Sequence, residues 1–510
     1  MTSLPLLDRA GIATPPPRRR TALVQFGRPQ PLIPERLPEA GEQYGFHFDM
    51  TKCIGCKCCV VACNEQNGNP AAINWRRVGE IEGGHYPNTW RHYLSMGCNQ
   101  CIEPSCLTGC PVEAYTKNSL TGVVEHSADA CIGCQYCTWN CSYGVPQYNA
   151  ARGVVGKCDL CQNRLSDGMA PACVSACPEG AIAVEIVNVA EWRADYLAAN
   201  APGLPSAADS ISTTRITLPA DLPPDVGRVD THRVVPEQPH TPLVIMLVLT
   251  QLAVGAFGVL WLLDLLGHVE RLWAGALASL AVAGISLGAS TLHLGRPIYA
   301  WRSLRGLRHS WLSREVLGLS LFAGVAAMFA AALLADAPCR AAIGLATLLA
   351  GVAGVACSAR IYMVRARPAW DSGSTAAEFF ATALLLGPLF VRAMAISDAP
   401  WIAWAAAGGG AAQLATQAMK FLWLARSESF ELRATSLLLS GTLRRAFLTR
   451  LAILLAAGIV APLECERPVA LAAAFLLALA GEFLGRWLFF VSVVPKSMAA
   501  AFSARTEGRA

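Results

Sequence analysis

The sequence predicts two fold classes in one chain: an α+β domain, then an all-α bundle of eight membrane-spanning helices. Three observations predict it. Of the 20 cysteines, 17 crowd between Cys53 and Cys177. After residue 240 the chain becomes eight apolar runs, each about twenty residues long, the length that crosses a hydrocarbon core. Across all 510 residues 54% are hydrophobic and 15% charged, too apolar for a wholly soluble protein. The net charge of +5 is small and mostly arginine, so where the arginines sit matters more than their sum. No nucleic-acid partner is expected.

Residues 1–45 read as a Pro-rich, irregular arm. Its start, MTSLPLLDRAGIATPPPRRRTALVQF, has an arginine run without a sufficient apolar core after it. No cleavable signal peptide is expected; a twin-arginine signal is the alternative. Dense cysteine in a short secreted chain would suggest disulfides. Here the spacing suggests something else.

Four quartets stand in residues 46–190. The first is Cys53, Cys56, Cys59 and Cys63, spaced C-x2-C-x2-C-x3-C. The second is Cys98, Cys101, Cys106 and Cys110, followed by Pro111. The third, Cys131, Cys134, Cys137 and Cys141, repeats the first quartet's spacing. The fourth is Cys158, Cys161, Cys173 and Cys177, followed by Pro178. Because the spacing repeats, Cys58 is the spare: it falls between the second and third ligands, where the third quartet has Tyr136. Three closely spaced thiolates can wrap three corners of one cubane, and a fourth three residues on starts a helix that carries it to another cluster. Proline after it suits a first helical turn. Zinc is the alternative, but zinc sites usually pair two CxxC hooks rather than running four cysteines together.

This half resembles the four-cluster ferredoxin subunit of the dimethyl sulfoxide reductase family. The resemblance rests on WRRV at Trp75–Val78, CIGCQYC at Cys131–Cys137, YGVPQYN at Tyr143–Asn149 and KCDLC at Lys157–Cys161. It implies a ferredoxin-like multi-cluster fold of two bicluster modules and four [4Fe-4S] clusters. It also implies the ligand sets. Cys53, Cys56, Cys59 and Cys177 hold one cluster; Cys158, Cys161, Cys173 and Cys63 hold the next. Cys98, Cys101, Cys106 and Cys141 hold a third, and Cys131, Cys134, Cys137 and Cys110 a fourth. One departure is Ser142, where the family commonly has proline.

Residues 191–240, rich in Pro and Asp, read as a tether around the first domain. The membrane domain covers 241–495, with a tail at 496–510. Its expected spans are 242–266, 272–295, 313–335, 339–362, 375–396, 400–424, 446–463 and 468–494. Most lack the polar face of a soluble helix. This half resembles the quinol-oxidising anchor subunit of the same family, through STLHLGRP at Ser290–Pro297, LSREVL at Leu312–Leu317, ARIYMV at Ala359–Val364 and LAGEFLGR at Leu479–Arg486. Polar groups inside a membrane are costly. By the resemblance, His293 and Glu315 serve a quinone site, where both side chains can relay protons. Arg360 and Tyr362 lie at the same face. Glu482 and Arg486, four apart, are expected to pair. The membrane half offers His268, His293 and His309 as haem ligands. Two of these lie in loops, so no bis-histidine haem is expected.

Sixteen Lys and Arg fall in the segments on the cysteine-rich side and four in the opposite loops, which places that side in the cytoplasm. The reading is an electron-transfer and anchor subunit in a bacterial inner membrane. It would link the quinone pool to a separate molybdopterin-containing catalytic subunit. A cytoplasm-facing relative could oxidise a substrate such as sulfite. The alternative is a stand-alone membrane ferredoxin or redox sensor.

Overall fold

A computed structural model describes residues 32–194, 205–228, 234–268 and 270–496. Most of the arm read at 1–45 lies outside them. Its last residues do not: β1 (Glu42–Asp49) already opens the first domain, burying Tyr44, Phe46 and Phe48 at strand period.

Short elements follow, set by the cysteine loops between them. They are α1 (Cys58–Asn67), the hairpin of β2 (Arg77–His85) and β3 (Asn88–Met96), and α2 (Ser105–Gly109). Next come the ribbon of β4 (Tyr115–Lys117) and β5 (Val124–His126), α3 (Tyr136–Asn140), and the ribbon of β6 (Gln147–Asn149) and β7 (Val154–Gly156). The domain continues with α4 (Gln162–Ser166), α5 (Ala172–Ser175), β8 (Ile182–Asn188) and α6 (Val189–Ala194). β1 pairs antiparallel with β8, from Glu42↔Asn188 to Phe48↔Ile182. That pairing folds the two ends of the domain together and brings the first cysteine quartet beside the fourth.

The stretch read as a tether is knitted into both larger sheets. β9 (Arg215–Thr217) adds parallel to β1, and β10 (Gly227–Arg228) adds antiparallel to β2.

The second half is helical: α7 (Thr241–Leu265), α8 (Leu272–Thr291), a 3-10 stretch at Pro297–Leu304, α9 (Trp311–Leu334), α10 (Arg340–Tyr362) and α11 (Gly373–Ala393). Then come α12 (Pro400–Arg426), α13 (Phe430–Ser440) and α14 (Arg444–Ile453), which runs through a π-helical stretch, Leu454–Val460, into α15 (Ala461–Glu464). The last is α16 (Pro468–Val491). Among the described residues seven helices are long and apolar enough to cross a membrane, not eight. The segment expected at 400–424 is α12, 27 residues long, but its alanines and glycines, with Gln413, Gln417 and Lys420, leave it too polar by that measure. α13 was not anticipated.

α7 and α11 have 72% of their most apolar window buried, against 33–39% for the other spans, so these two form the centre and the rest face outward. They cross closely. A Cβ on Gly387 would run into the backbone of Gly255 and Ala256, the small-residue contact that membrane helices use in place of a hydrophobic driving force. Gly387→Leu is expected to force α7 and α11 apart, at a cost of about 1–3 kcal/mol for an overpacked core. The check is a lower thermal midpoint of the detergent-solubilised protein; an unchanged midpoint would show that the crossing carries no tight packing.

Candidate functional site

The cysteines converge in four sets. Cys53 lies in electrostatic range of Cys56, Cys59 and Cys177. Cys63 lies near Cys158, Cys161 and Cys173. Cys106 lies near Cys98, Cys101 and Cys141, and Cys137 near Cys110, Cys131 and Cys134. The members of the Cys53 set line one pocket, and those of the Cys98 set line another. Among the described residues no group of three converges tightly enough for a single ion; four sulfurs on one zinc would stand about 4 Å apart. Four sulfurs spaced around a shared pocket fit a cubane better.

Local backbone makes the sets possible. In the repeated CIGC runs Gly55 and Gly133 both have φ of +70°. Lys57 and Gln135, two residues after each, are also left-handed and sit at the starts of α1 and α3. The loop therefore curls around its three sulfurs before the helix starts. Burial and neighbouring sulfurs push Cys53 up to about 11 and Cys161 up to about 12. Buried thiolates packed this closely need positive charge among them, which is what iron supplies. Cys58 is exposed at the start of α1 beside Cys56, and the cavity of the Cys53 set omits it.

The sets form a series. α1 and α5 pack together and join the Cys53 set to the Cys158 set; α2 and α3 pack together and join the Cys98 set to the Cys131 set. Cys98 and Cys158, mutually in range, link the two pairs.

The membrane half grips the Cys131 end of this series. α8 stops at Thr291, so His293 lies in the turn that follows rather than in the helix expected to 295. The chain leaves the helix to dock: Arg296 N–H donates to Ile132 O at 3.1 Å and Gly295 N–H to Gly133 O at 3.4 Å. Any Cβ on Gly295 would enter the Gly153 carbonyl. The following loop seats on the other side of the same set. Gly306 N–H donates to Pro111 O at 2.9 Å, and Ser310 Oγ to Gly109 O at 2.8 Å.

Behind this contact Trp139, from α3, enters a ring of aromatic and histidine side chains. Its centroid lies 6.3 Å from His293, 5.1 Å from His240, and 5.7 Å from both Tyr362 and Trp370. His240 and His293 touch edge to face at 5.3 Å. Burial, then His293 and Arg367, lowers His240 to about 3; burial lowers His293 to about 4. Burial thus holds both imidazoles neutral, and His293 Nε2 is buried without a hydrogen-bond partner among the described residues. Glu315, 5% exposed near the start of α9, faces inward beside Ser358, in range of Tyr136 and Tyr362. The structure thus brings His293, Glu315 and Tyr362 to one face. Arg360, also in range of Tyr136, lies over the Trp311 ring.

Residues 89–186 match the 4Fe-4S dicluster domain family, and residues 237–491 match the DMSO reductase anchor subunit (DmsC) family. An anaerobic dimethyl sulfoxide reductase polypeptide of Haemophilus influenzae is 39% identical over 164 residues, 30% of this chain and 78% of that protein. The chain belongs to the dimethyl sulfoxide reductase family. It fuses that family's iron–sulfur and anchor subunits in one polypeptide. The protein of the same name from Escherichia coli is 39% identical over 168 residues, 31% of this chain and 82% of that protein. A sulfite dehydrogenase subunit of Allochromatium vinosum is 36% identical over 160 residues, 27% and 67% respectively.

Two features of this family member were not read from its sequence correctly. The histidine count left out His240, which immediately precedes α7 and so fell outside the apolar run. Nor was Trp139 singled out, since it stands inside a cysteine motif. The expected Glu482–Arg486 pair does not form. Glu482 pairs with Arg450 of α14 at 3.3 Å and accepts from Thr382 and Gln413, while Arg486 donates to Gln251 at 3.0 Å and covers the Phe379 ring. Glu378 and Lys420 pair nearby at 2.9 Å.

Cys58→Ser is expected to leave iron and sulfide content unchanged, because its sulfur lies outside the Cys53 cavity. Cys134→Ser should lower both by the content of one cubane. Iron and sulfide assays on anaerobically purified variants decide it, and the reverse pattern would mean that the spare is misassigned.

Proposed function

We propose that this chain carries electrons between a membrane quinone and a separate molybdopterin-class catalytic subunit through four [4Fe-4S] clusters, one at each cysteine set. One observation carries the reading: the His293 turn is hydrogen-bonded to the Cys131 loop, so the histidine–aromatic pocket adjoins a cluster site directly. The clusters supply one-electron steps, and the series of sets supplies a path from the membrane to the exposed Cys53 end. Quinone turnover needs two protons as well as two electrons. His293 and His240, neutral and buried, can accept or return a proton at the quinone oxygens, and Glu315 can exchange one from the α9 side. His240 and His293 pack directly on one another and on Trp139, which favours direct exchange between quinone and the Cys131 site without haem. α12, packed along α11, serves as the eighth span.

The arginine bias supports a cytoplasmic first domain. With that orientation, the similarity to a protein named as a sulfite dehydrogenase subunit favours a sulfite-oxidising partner as the second reading. The first domain of the relatives belongs to complexes, and the exposed Cys53 end, with Ile54 and Val61 at the surface, is where the catalytic subunit would dock.

His293→Ala and Glu315→Gln are each expected to lower quinone-linked turnover at least about a hundredfold, within the usual range for a lost general acid or base. Electron exchange between the clusters and a soluble dye should stay normal. Normal quinone turnover in either variant would make that residue structural.

A further inference from the structure

Two cations are buried in the first domain among the sulfurs. Arg76, 2% exposed, stands just before β2. Its guanidinium lies over the Phe46 ring at 4.5 Å, donates to Ser95 Oγ at 3.1 Å and reaches the Cys173 sulfur. The opposite charges in its range are those of Cys59, Cys63, Cys158 and Cys173. It therefore stands between the Cys53 and Cys158 sets. Lys157, 4% exposed, precedes Cys158. Its Nζ donates to Cys158 O at 2.8 Å and to Val124 O, and lies 3.8 Å from Cys98 Sγ. Cys98, Cys106, Cys158 and the Asp159 carboxylate are in its range, so it stands between the Cys158 and Cys98 sets.

Burying an ion costs several kcal/mol unless an opposite charge compensates it. Here the main compensation is thiolate, and the two cations divide three sets between them. The Cys131 set differs. Around it Arg296 and Arg302 reach the carbonyls of Ala128 and Asp129, but both are only half-buried, where solvent screens them. Among the described residues no fully buried cation borders that set.

We propose that Arg76 and Lys157 are fixed charges that raise the reduction potentials of the clusters at the Cys53, Cys158 and Cys98 sets above that of the cluster at the Cys131 set. Reduction adds one electron, and so one negative charge, to a site. A cation a few ångströms away in a poorly screened interior stabilises that added charge. Electrons shared along the series therefore settle outward, away from the membrane. The proposal rests on the four-cluster reading.

The test is a redox titration of the full-length protein, purified anaerobically and followed by electron paramagnetic resonance. In Arg76→Gln, the reduced-to-oxidised ratio of the two outer clusters at a fixed potential should fall about tenfold, which is 59 mV for one electron. The membrane-side cluster should titrate as in the unaltered protein. Lys157→Gln should lower the clusters of the Cys158 and Cys98 sets in the same way, and Arg76→Lys should restore the outer midpoints. Unchanged midpoints with iron content intact overturn the proposal, as does an equal fall at all sites. Arg76→Met keeps the stem without the charge; if it and both Gln variants lose iron, the cations serve assembly and the proposal fails. Fewer than about sixteen irons in the unaltered protein would instead defeat the four-cluster reading.

Discussion

The contact between two backbones, residues 295–296 on 132–133, is the constraint on which the rest depends. Main-chain hydrogen bonds at 3.1 and 3.4 Å fix the His293 turn against the loop that carries Cys131 and Cys134. Side chains cannot intrude, because Gly133, Gly153 and Gly295 meet where any Cβ would collide with a neighbour. The early end of α8 follows from this, since the helix must stop before its chain can turn to dock. The position of Trp139 follows too. It hangs from the helix between Cys137 and Cys141, so the same loop that holds the sulfurs sets one wall of the pocket.

A second constraint acts inside the bundle. Charged side chains in a membrane persist only when paired or turned inward. Glu378, Lys420, Arg450, Glu482 and Arg486 meet between α11, α12, α14 and α16, with Gln413 and Thr382 completing the bonds. This explains the low apolarity of α12, which spends part of one face on that network. Gly485 belongs to the same arrangement, because a Cβ there would occupy the place of the Arg450 guanidinium. The π-helical stretch that follows Arg450 is the kind of local departure that re-aims a helix face at a functional or crowded point.

What was legible in the sequence was local. Repeated C-x2-C-x2-C-x3-C spacing marks the turns that curl around a cluster, and apolar length marks the spans. The nesting of the quartets came from resemblance, because only the distant pairing of β1 with β8 brings Cys53 beside Cys177. His240 was invisible for a similar reason: it stands one residue before an apolar run, and its partner His293 is 53 residues away on another turn. The Glu482–Arg486 expectation failed because four-residue spacing makes a pair possible, not preferred. Arg450, from another helix, reached the carboxylate across a glycine gap that no local pattern announces. α12 matches a span in length but not in apolarity, because it is rich in alanine and glycine rather than leucine.

Fusion of the two halves changes the energetics of their contact. Two separate subunits would lose translational and rotational freedom, several kcal/mol, each time they joined. A covalent connection converts that step into an intramolecular one with a high effective concentration. Here the connection is also shortened. β9 and β10, within the stretch joining the halves, are hydrogen-bonded into the sheets of β1 and β2, and Lys496 after the last span pairs with Asp209 at 2.9 Å. The chain that leaves the first domain is thus tied to it almost until it enters the membrane. The interface need not supply all the free energy that keeps it closed, and it combines directional backbone bonds and three close glycines with the Trp139 ring packed among aromatics. Such an interface is well suited to fixing a short distance between a membrane pocket and a redox site.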